Sequence, residues 1–152
     1  MPSAVGNCWT EAVPPHIDLT LALPCVDEYC ALRLAAGLSA MNREAAVAGL
    51  PGSWAAVCLR DGDELIGMGR VVGDGGLFFQ IVDIAVKPAL QGRGLGKRIM
   101  QALMDALRQR APAGAVVTLL ADGEAHRLYR QFGFLPSAPA SQGMLLRLRQ
   151  QP

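Results

Sequence analysis

Apolar residues along the chain fall into short blocks, and their spacing separates helices from strands. Leu95, Ile99, Leu103 and Leu107 recur at helical spacing with Ala102 and Ala106 beside them, so Arg93–Arg110 is predicted as the principal helix, ended by Pro112. Trp54–Leu59 and Leu65–Val72 read as strands joined by a hairpin at Asp61-Gly62. After a second turn at Gly73–Gly76, Leu77–Val86 is almost wholly apolar, interrupted only by Gln80 and Asp83, as a strand buried on both faces would be. Ala115–Ala121 is predicted as another buried strand. Ile17–Leu23 is read as a first strand stopped by Pro24, and Val26–Leu38 as a helix after it; Ser39 is expected to cap a second helix that ends before Pro51. Glu124–Phe132 reads as a short helix stopped by Gly133, with Phe134-Leu135 and Met144–Leu148 as closing strands divided by a Pro, Ser and Gly loop. Residues 1–15 are read as a loose lead-in. Interleaved strands and helices, with no repeat and no dividing linker, predict one α/β domain over residues 1–152, a mixed sheet covered by helices.

Composition narrows the class. A chain of 152 residues buries enough surface to need neither a metal nor a disulfide. With 51% hydrophobic and 18% charged residues it is not chiefly disordered. A net charge of +1 and 5% aromatics speak against a nucleic-acid partner. No apolar run approaches the length of a membrane span, and the N-terminus lacks the basic-then-apolar order of a signal peptide, so a cytoplasmic location with no membrane partner is expected. Cys8, Cys25, Cys30 and Cys58 match neither zinc nor dithiol spacing; they read as free thiols, Cys25 and Cys30 packed as apolar groups, with no metal site.

The chemically informative stretch runs from Gln80 to Lys97. A buried strand ends at Pro88, and the turn Gln91-Gly92-Arg93-Gly94-Leu95-Gly96 feeds directly into the amphipathic helix. Glycines there leave backbone N–H groups unshielded at the positive end of the helix dipole, with Arg93, Lys97 and Arg98 adding charge, which suits phosphate oxygens. A tight turn rich in glycine for steric reasons is the alternative; the order strand, proline, turn, helix favours anion binding. Gly96-Lys97 is followed by Arg98 rather than Ser or Thr, so this is no Walker loop, and the leading Gln91 makes a poor dinucleotide fingerprint.

The chain resembles the GCN5-related N-acetyltransferase (GNAT) family. The family's pyrophosphate loop (Gln or Arg, two residues of any kind, Gly, any residue, Gly or Ala) is matched by Gln91–Gly96, and its short helix ending Leu-Tyr-x-x-x-Gly-Phe by Leu128-Tyr129-Arg130-Gln131-Phe132-Gly133-Phe134. The resemblance covers roughly residues 17–150. It implies an acyl-CoA N-acyltransferase fold, a central mixed but mainly antiparallel sheet flanked by helices, with acetyl-CoA as cosubstrate and an amine as acceptor. It implies that N–H groups around Gln91, Gly92, Arg93, Gly94, Gly96 and Lys97 hold the pyrophosphate. It also implies that the backbone at Ala85 and Val86 pairs with the pantetheine arm beside a bulged strand, the thioester lying where that strand opens away from Ala115–Ala121. Where many members carry Asn, this chain has Asp122, which can accept a hydrogen bond near the pantetheine arm but cannot donate one when ionised.

By the same resemblance Tyr129 is the proton donor to the departing thiolate, a role its ordinary pKa near 10 suits. Asp83, a carboxylate in an apolar strand, is either the group that activates the amine or a structural partner of a backbone group or Arg70. Gln80 can orient but not deprotonate. Glu124 reads equally as a charge at a helix N-terminus, and His126 and His16 are further titratable candidates. The walls of the acceptor site are expected at Cys25–Asn42 and Pro136–Gly143. Tyr29, Leu32, Leu38 and Met41 would make the first fairly apolar, favouring a small amine with a hydrophobic part over a polycation, an argument that Asp27 and Glu28 weaken. A peptide or protein amine, a non-catalytic acyl-CoA sensor and a nucleotide-binding protein are the rival readings. A homodimer built through the late strands is compatible with Leu145, Leu146 and Leu148.

Overall fold

The computed structural model describes residues 16–148; the lead-in, with Cys8, lies outside them. Five strands form one sheet in chain order: β1 (Ile17–Thr20), β2 (Ala55–Asp61), β3 (Glu64–Gly73), β4 (Phe78–Val86) and β5 (Val116–Leu119). The first three pairings are antiparallel and the last, β4 with β5, is parallel. The parallel pairing requires a crossover, and α3 (Leu95–Arg110) supplies it. This is the mixed, mainly antiparallel sheet flanked by helices that the sequence implies.

Side-chain alternation along the central strands sends residues to two cores. On β2, Val57 and Leu59 join Ile66, Val71, Phe79 and Ile81 under the α3 stripe of Ile99, Met100, Leu103 and Leu107. Cys58, between them, faces the other way and packs with Leu65, Met68 and Ala85 beneath Tyr29 and Leu32 of α1 (Val26–Ala35) and Ala46 of α2 (Arg43–Gly49). Each fully buried Leu, Ile or Met in these layers contributes about 1.5–3 kcal/mol. Covered on both faces, β2 and β3 read as nearly continuous apolar runs.

Several expectations need correction. The cap of α2 is Asn42, whose side chain accepts from the Ala45 N–H at 3.1 Å; Ser39 is instead engaged by Arg33. The strand at Ala115–Ala121 is shorter than expected and only half-buried, because it is the sheet edge and has no outer strand among the described residues. Leu77 and Phe78, at the start of the apolar run, are likewise exposed. Phe134-Leu135 and Met144–Leu148 are not strands: they run irregularly, with Met144 at 95% and Leu148 at 93% exposure. A strand needs a ladder partner, and without pairing to the edge of β5 local β-propensity does not hold one. The predicted helix at Glu124–Phe132 is a 3-10 turn, Gly123–Ala125, continued by the short α4 (His126–Arg130). Among the described cysteines, Cys58 is buried and Cys30 partly so, whereas Cys25 is exposed at the start of α1.

Candidate active site

The site begins with a break in β4. Phe78 to Ile81 pair with Val116 to Leu119, and there the pairing ends, so Val82–Val86 continues with β3 on one side only. On the β3 side the register shifts: Arg70 faces Val82 and Met68 faces Ala85, so Asp83 and Ile84 together oppose Gly69. This is a β-bulge, and Asp83 adopts φ +59°, a left-handed conformation that Asp tolerates better than most side chains. Ala85 and Val86 lie on the one-sided stretch, as the resemblance implies for the strand that meets the pantetheine arm.

Beyond Val86 the chain makes a 3-10 turn at Pro88–Leu90 and enters the glycine loop. Gly92 and Gly94 have φ +76° and +77°, conformations that carry the backbone around the corner without side chains over it. Gly94 is the N-cap of α3, and the first-turn N–H groups of Leu95, Gly96 and Lys97 have no carbonyl four residues back within the helix. Arg93, Lys97 and Arg98 are exposed around them. An open glycine corner, unpaired N–H groups and three cations form a donor set that fits a pyrophosphate. Gln91 departs from the expected role. Its N–H bonds to the Pro88 carbonyl at 3.3 Å and its side-chain amide donates to the Val86 carbonyl at 3.1 Å, so it braces the turn rather than facing an anion.

Tyr129 sits on α4 at 8% exposure, packed into the α3-side core and lining a cleft of about 610 Å³ between β5, α4 and residues 134–143. No β4 residue lines this cleft, which therefore runs along β5 rather than between the two strands. The Tyr129 hydroxyl has no hydrogen-bond partner among the described residues. Burial, and secondarily the charge of Asp122, push its pKa above the usual 10, so it keeps its proton. Asp122 itself is exposed, its carbonyl accepting from the Ala125 N–H at 3.0 Å. His126 lines the same cleft, with Nδ1 3.0 Å from the Gly123 carbonyl. Glu124 is paired with Arg127 at 2.6 Å, and His16 lies far from these groups in sequence, paired with Asp18.

Asp83 is not free. Oδ2 accepts from the Tyr29 hydroxyl at 2.9 Å and from Arg70 Nε at 2.7 Å, and Oδ1 accepts from Arg33 Nη1. Of the two readings open for Asp83, this geometry matches the structural one, with Arg70 as partner. Arg33 also donates from Nε and Nη2 to the Ser39 carbonyl at 2.9 and 2.8 Å, and Arg70 Nη1 donates to Ser53 Oγ at 2.7 Å. The bulge is thereby tied to α1, to the loop after it and to β3. Sequence reasoning missed Arg33. The available signal was its place four residues after Tyr29, on the face of α1 that carries Tyr29 and Leu32 inward. The two acids that weaken the argument for an apolar acceptor wall are also engaged. Asp27 pairs with Arg43 at 3.1 Å, and Glu28 makes a two-point pair with Arg60 at 2.8 Å, which holds its carboxyl down at about 2.

Comparison with known proteins places this arrangement. Over 87% of this chain and 99% of the other, the fold superposes with a TM-score of 0.84 and 46% identity on a crystal structure of a protein of unknown function from meticillin-resistant Staphylococcus aureus. A histone acetyltransferase of Glycine max is 38% identical over 80 residues, 53% of this chain and 34% of that protein. A chloroplastic serotonin N-acetyltransferase of Oryza sativa subsp. japonica is 33% identical over 87 residues, 57% of this chain and 42% of that one. The matches thus span less than half the length of these two curated relatives. The model of the acetyltransferase (GNAT) family matches residues 27–134, from the start of α1 to the end of the Tyr129 motif, and the chain belongs to that family.

Proposed function

We propose that this protein is an acetyl-CoA-dependent N-acetyltransferase acting on the primary amine of a small molecule. The observation that carries the reading is β4: a strand with one open side and a bulge at Asp83 that runs directly into an anion-binding glycine loop at the head of α3. The relatives act, by their names, on acceptors as different as histones and serotonin. The small-molecule reading is supported by the cleft beside Tyr129, whose volume of about 610 Å³ lies within the range of small-ligand pockets.

Acetyl-CoA supplies a thioester, which an amine attacks directly with no nucleophile from the protein. The new bond is N–C and the broken one C–S. Tyr129 gives its hydroxyl proton to the sulfur. The proton lost by the nitrogen goes to His126. The Gly123 carbonyl can only accept, so Nδ1 carries the hydrogen there and Nε2 presents the free lone pair. Asp83, with donors on both oxygens, is assigned to holding the bulge rather than to deprotonating the amine. The test is release of free CoA, with product mass, across a panel of arylalkylamines, amino acids, polyamines, aminoglycosides and peptides. Acetylation confined to peptides or proteins would refute the small-molecule reading, and CoA release with none of them would refute the transferase.

A further inference from the structure

The cluster around Asp83 does not balance its charge. Arg33 and Arg70 bring two positive charges to one carboxylate, with side chains only 6%, 12% and 5% exposed. Tyr29 adds no negative charge, since burial and the neighbouring carboxylate push its pKa up and keep it a phenol. The nearest acids on α1 belong elsewhere, Asp27 to Arg43 and Glu28 to Arg60. A third cation comes in from the C-terminal segment: Arg147 donates to Ser39 Oγ at 3.1 Å, the same hydroxyl that accepts from Arg33 Nη2 at 3.2 Å. Positive charge held out of water without a counter-anion is costly.

Donors are left over as well. Arg70 spends Nε on Asp83 and Nη1 on Ser53, while Nη2 has no partner among the described residues. The place is informative too. Ser39 lies in the first expected wall of the acceptor site, and Arg147, a few residues past the second, reaches the same Ser39 hydroxyl as Arg33, outside the cleft beside Tyr129. Arg70 and Asp83 belong to the bulge where β4 has left β5. An arginine fork suits the oxygens of a carboxylate or phosphate, and a polycationic acceptor would meet like charge here.

We propose that Arg70 and Arg147 bind an oxyanion on the acceptor, so that the substrate is a small amine that also carries a carboxylate or a phosphate. This rests on the small-molecule transferase reading and names its substrate class. The two arginines select the acceptor; they take no part in proton transfer.

The test compares acceptors that differ only in the anion: phenylalanine against 2-phenylethylamine, and phosphoethanolamine against ethanolamine, with a peptide amide as a third arm. The anionic member is expected to show kcat/KM higher by about tenfold or more, and the two pairs distinguish carboxylate from phosphate. Arg147→Gln should raise KM for the anionic member and leave its neutral counterpart unchanged. Arg70→Lys should keep part of a preference that Arg70→Gln abolishes. If Arg70→Gln does not fold, Arg147→Gln decides, because Arg147 lies on an exposed segment. Equal or better turnover of neutral amines or peptide amides overturns the proposal and leaves the transferase reading standing. If protein that binds acetyl-CoA turns over no acceptor, the transferase reading fails. The anion site is then judged by calorimetry with the same pairs on CoA-loaded protein: saturable binding of the anionic member, weakened in Arg147→Gln, supports it, and its absence overturns it.

Discussion

Gly69 lies directly beneath Ile84: a methyl group on Gly69 would come within 2.6 Å of Ile84 Cδ1 and of Ile99 Cγ2 on α3. The bulge puts Ile84 there, because two residues of β4 stand opposite this one residue of β3. Gly69→Ala must therefore turn the Ile84 side chain aside and push on Ile99 Cγ2, which sits close to the α3 backbone. It is expected to cost about 1–3 kcal/mol of stability and to weaken acetyl-CoA binding. Urea unfolding and a binding titration read the two effects, and a variant with unchanged stability would show that the bulge is softer than this packing implies.

Asp83→Asn keeps the shape and removes the charge that two arginines share. It is expected to destabilise the protein by about 3–5 kcal/mol, because Arg33 and Arg70 are left buried without a counter-charge. Activity that remains should follow the wild-type pH profile. Loss of the acidic limb of that profile with stability intact would instead return Asp83 to the role of base.

Gly94→Asp places a carboxylate at the N-cap of α3, where it favours the helix dipole but opposes a phosphate. Ala carries the full strain of φ +77° there, about 1–2 kcal/mol, and Asp no more than that, so Gly94→Ala is a control that bears at least the same strain. Affinity for acetyl-CoA should fall by about tenfold or more in the Asp variant relative to the Ala variant. Equal affinity in the two would remove the pyrophosphate from this loop.

Tyr129→Phe removes the hydroxyl and keeps the ring packed. Turnover should drop by about 10²-fold or more with acetyl-CoA affinity unchanged, measured where chemistry limits the rate. Since burial raises the Tyr129 pKa above 10, the donor stays protonated, and activity should not decline through its ionisation below that pH. The same direction has a consequence for stability. A folded pKa above the unfolded one contributes stability that is intact below pH 10 and lost as pH climbs through the folded value. Tyr29 shifts the same way. Alkaline unfolding should accordingly begin later in pH for Tyr129→Phe than for wild type.

Glu28 runs in the opposite sense. Its hydrogen bonds from Arg60 lower the carboxyl from 4.5 to about 2, so its contribution is present above pH 4.5 and disappears as pH falls from 4.5 to 2. Wild type should lose stability relative to Glu28→Gln across that window, and the difference between them should be flat above pH 5. Acid titrations followed by circular dichroism give the comparison; parallel curves throughout would mean that the pair is screened by solvent.

What the sequence determined by itself was whatever rests on local order. The period of Leu95, Ile99, Leu103 and Leu107 specifies a helix whatever it packs against, and Gln91–Gly96 followed by that helix specifies an open glycine corner with free first-turn N–H groups, because those groups come from neighbouring residues. The hairpin, whose loop is Gly62-Asp63, one residue on from the Asp61-Gly62 signal, and the family motif around Tyr129 are local in the same way. Tertiary structure decided what depends on partners distant in sequence. Met144–Leu148 has strand-like residues but no ladder beside it among the described residues, so pattern alone misassigned it, and β5 is half-exposed because no described strand pairs with its outer edge. Asp83 offered two roles in the sequence, and the groups that bear on them lie 50 and 13 residues away, in Arg33 and Arg70. A charge's function is set by the charges that surround it in a medium that screens them poorly, and that neighbourhood exists only once α1 has folded onto the bulge of β4.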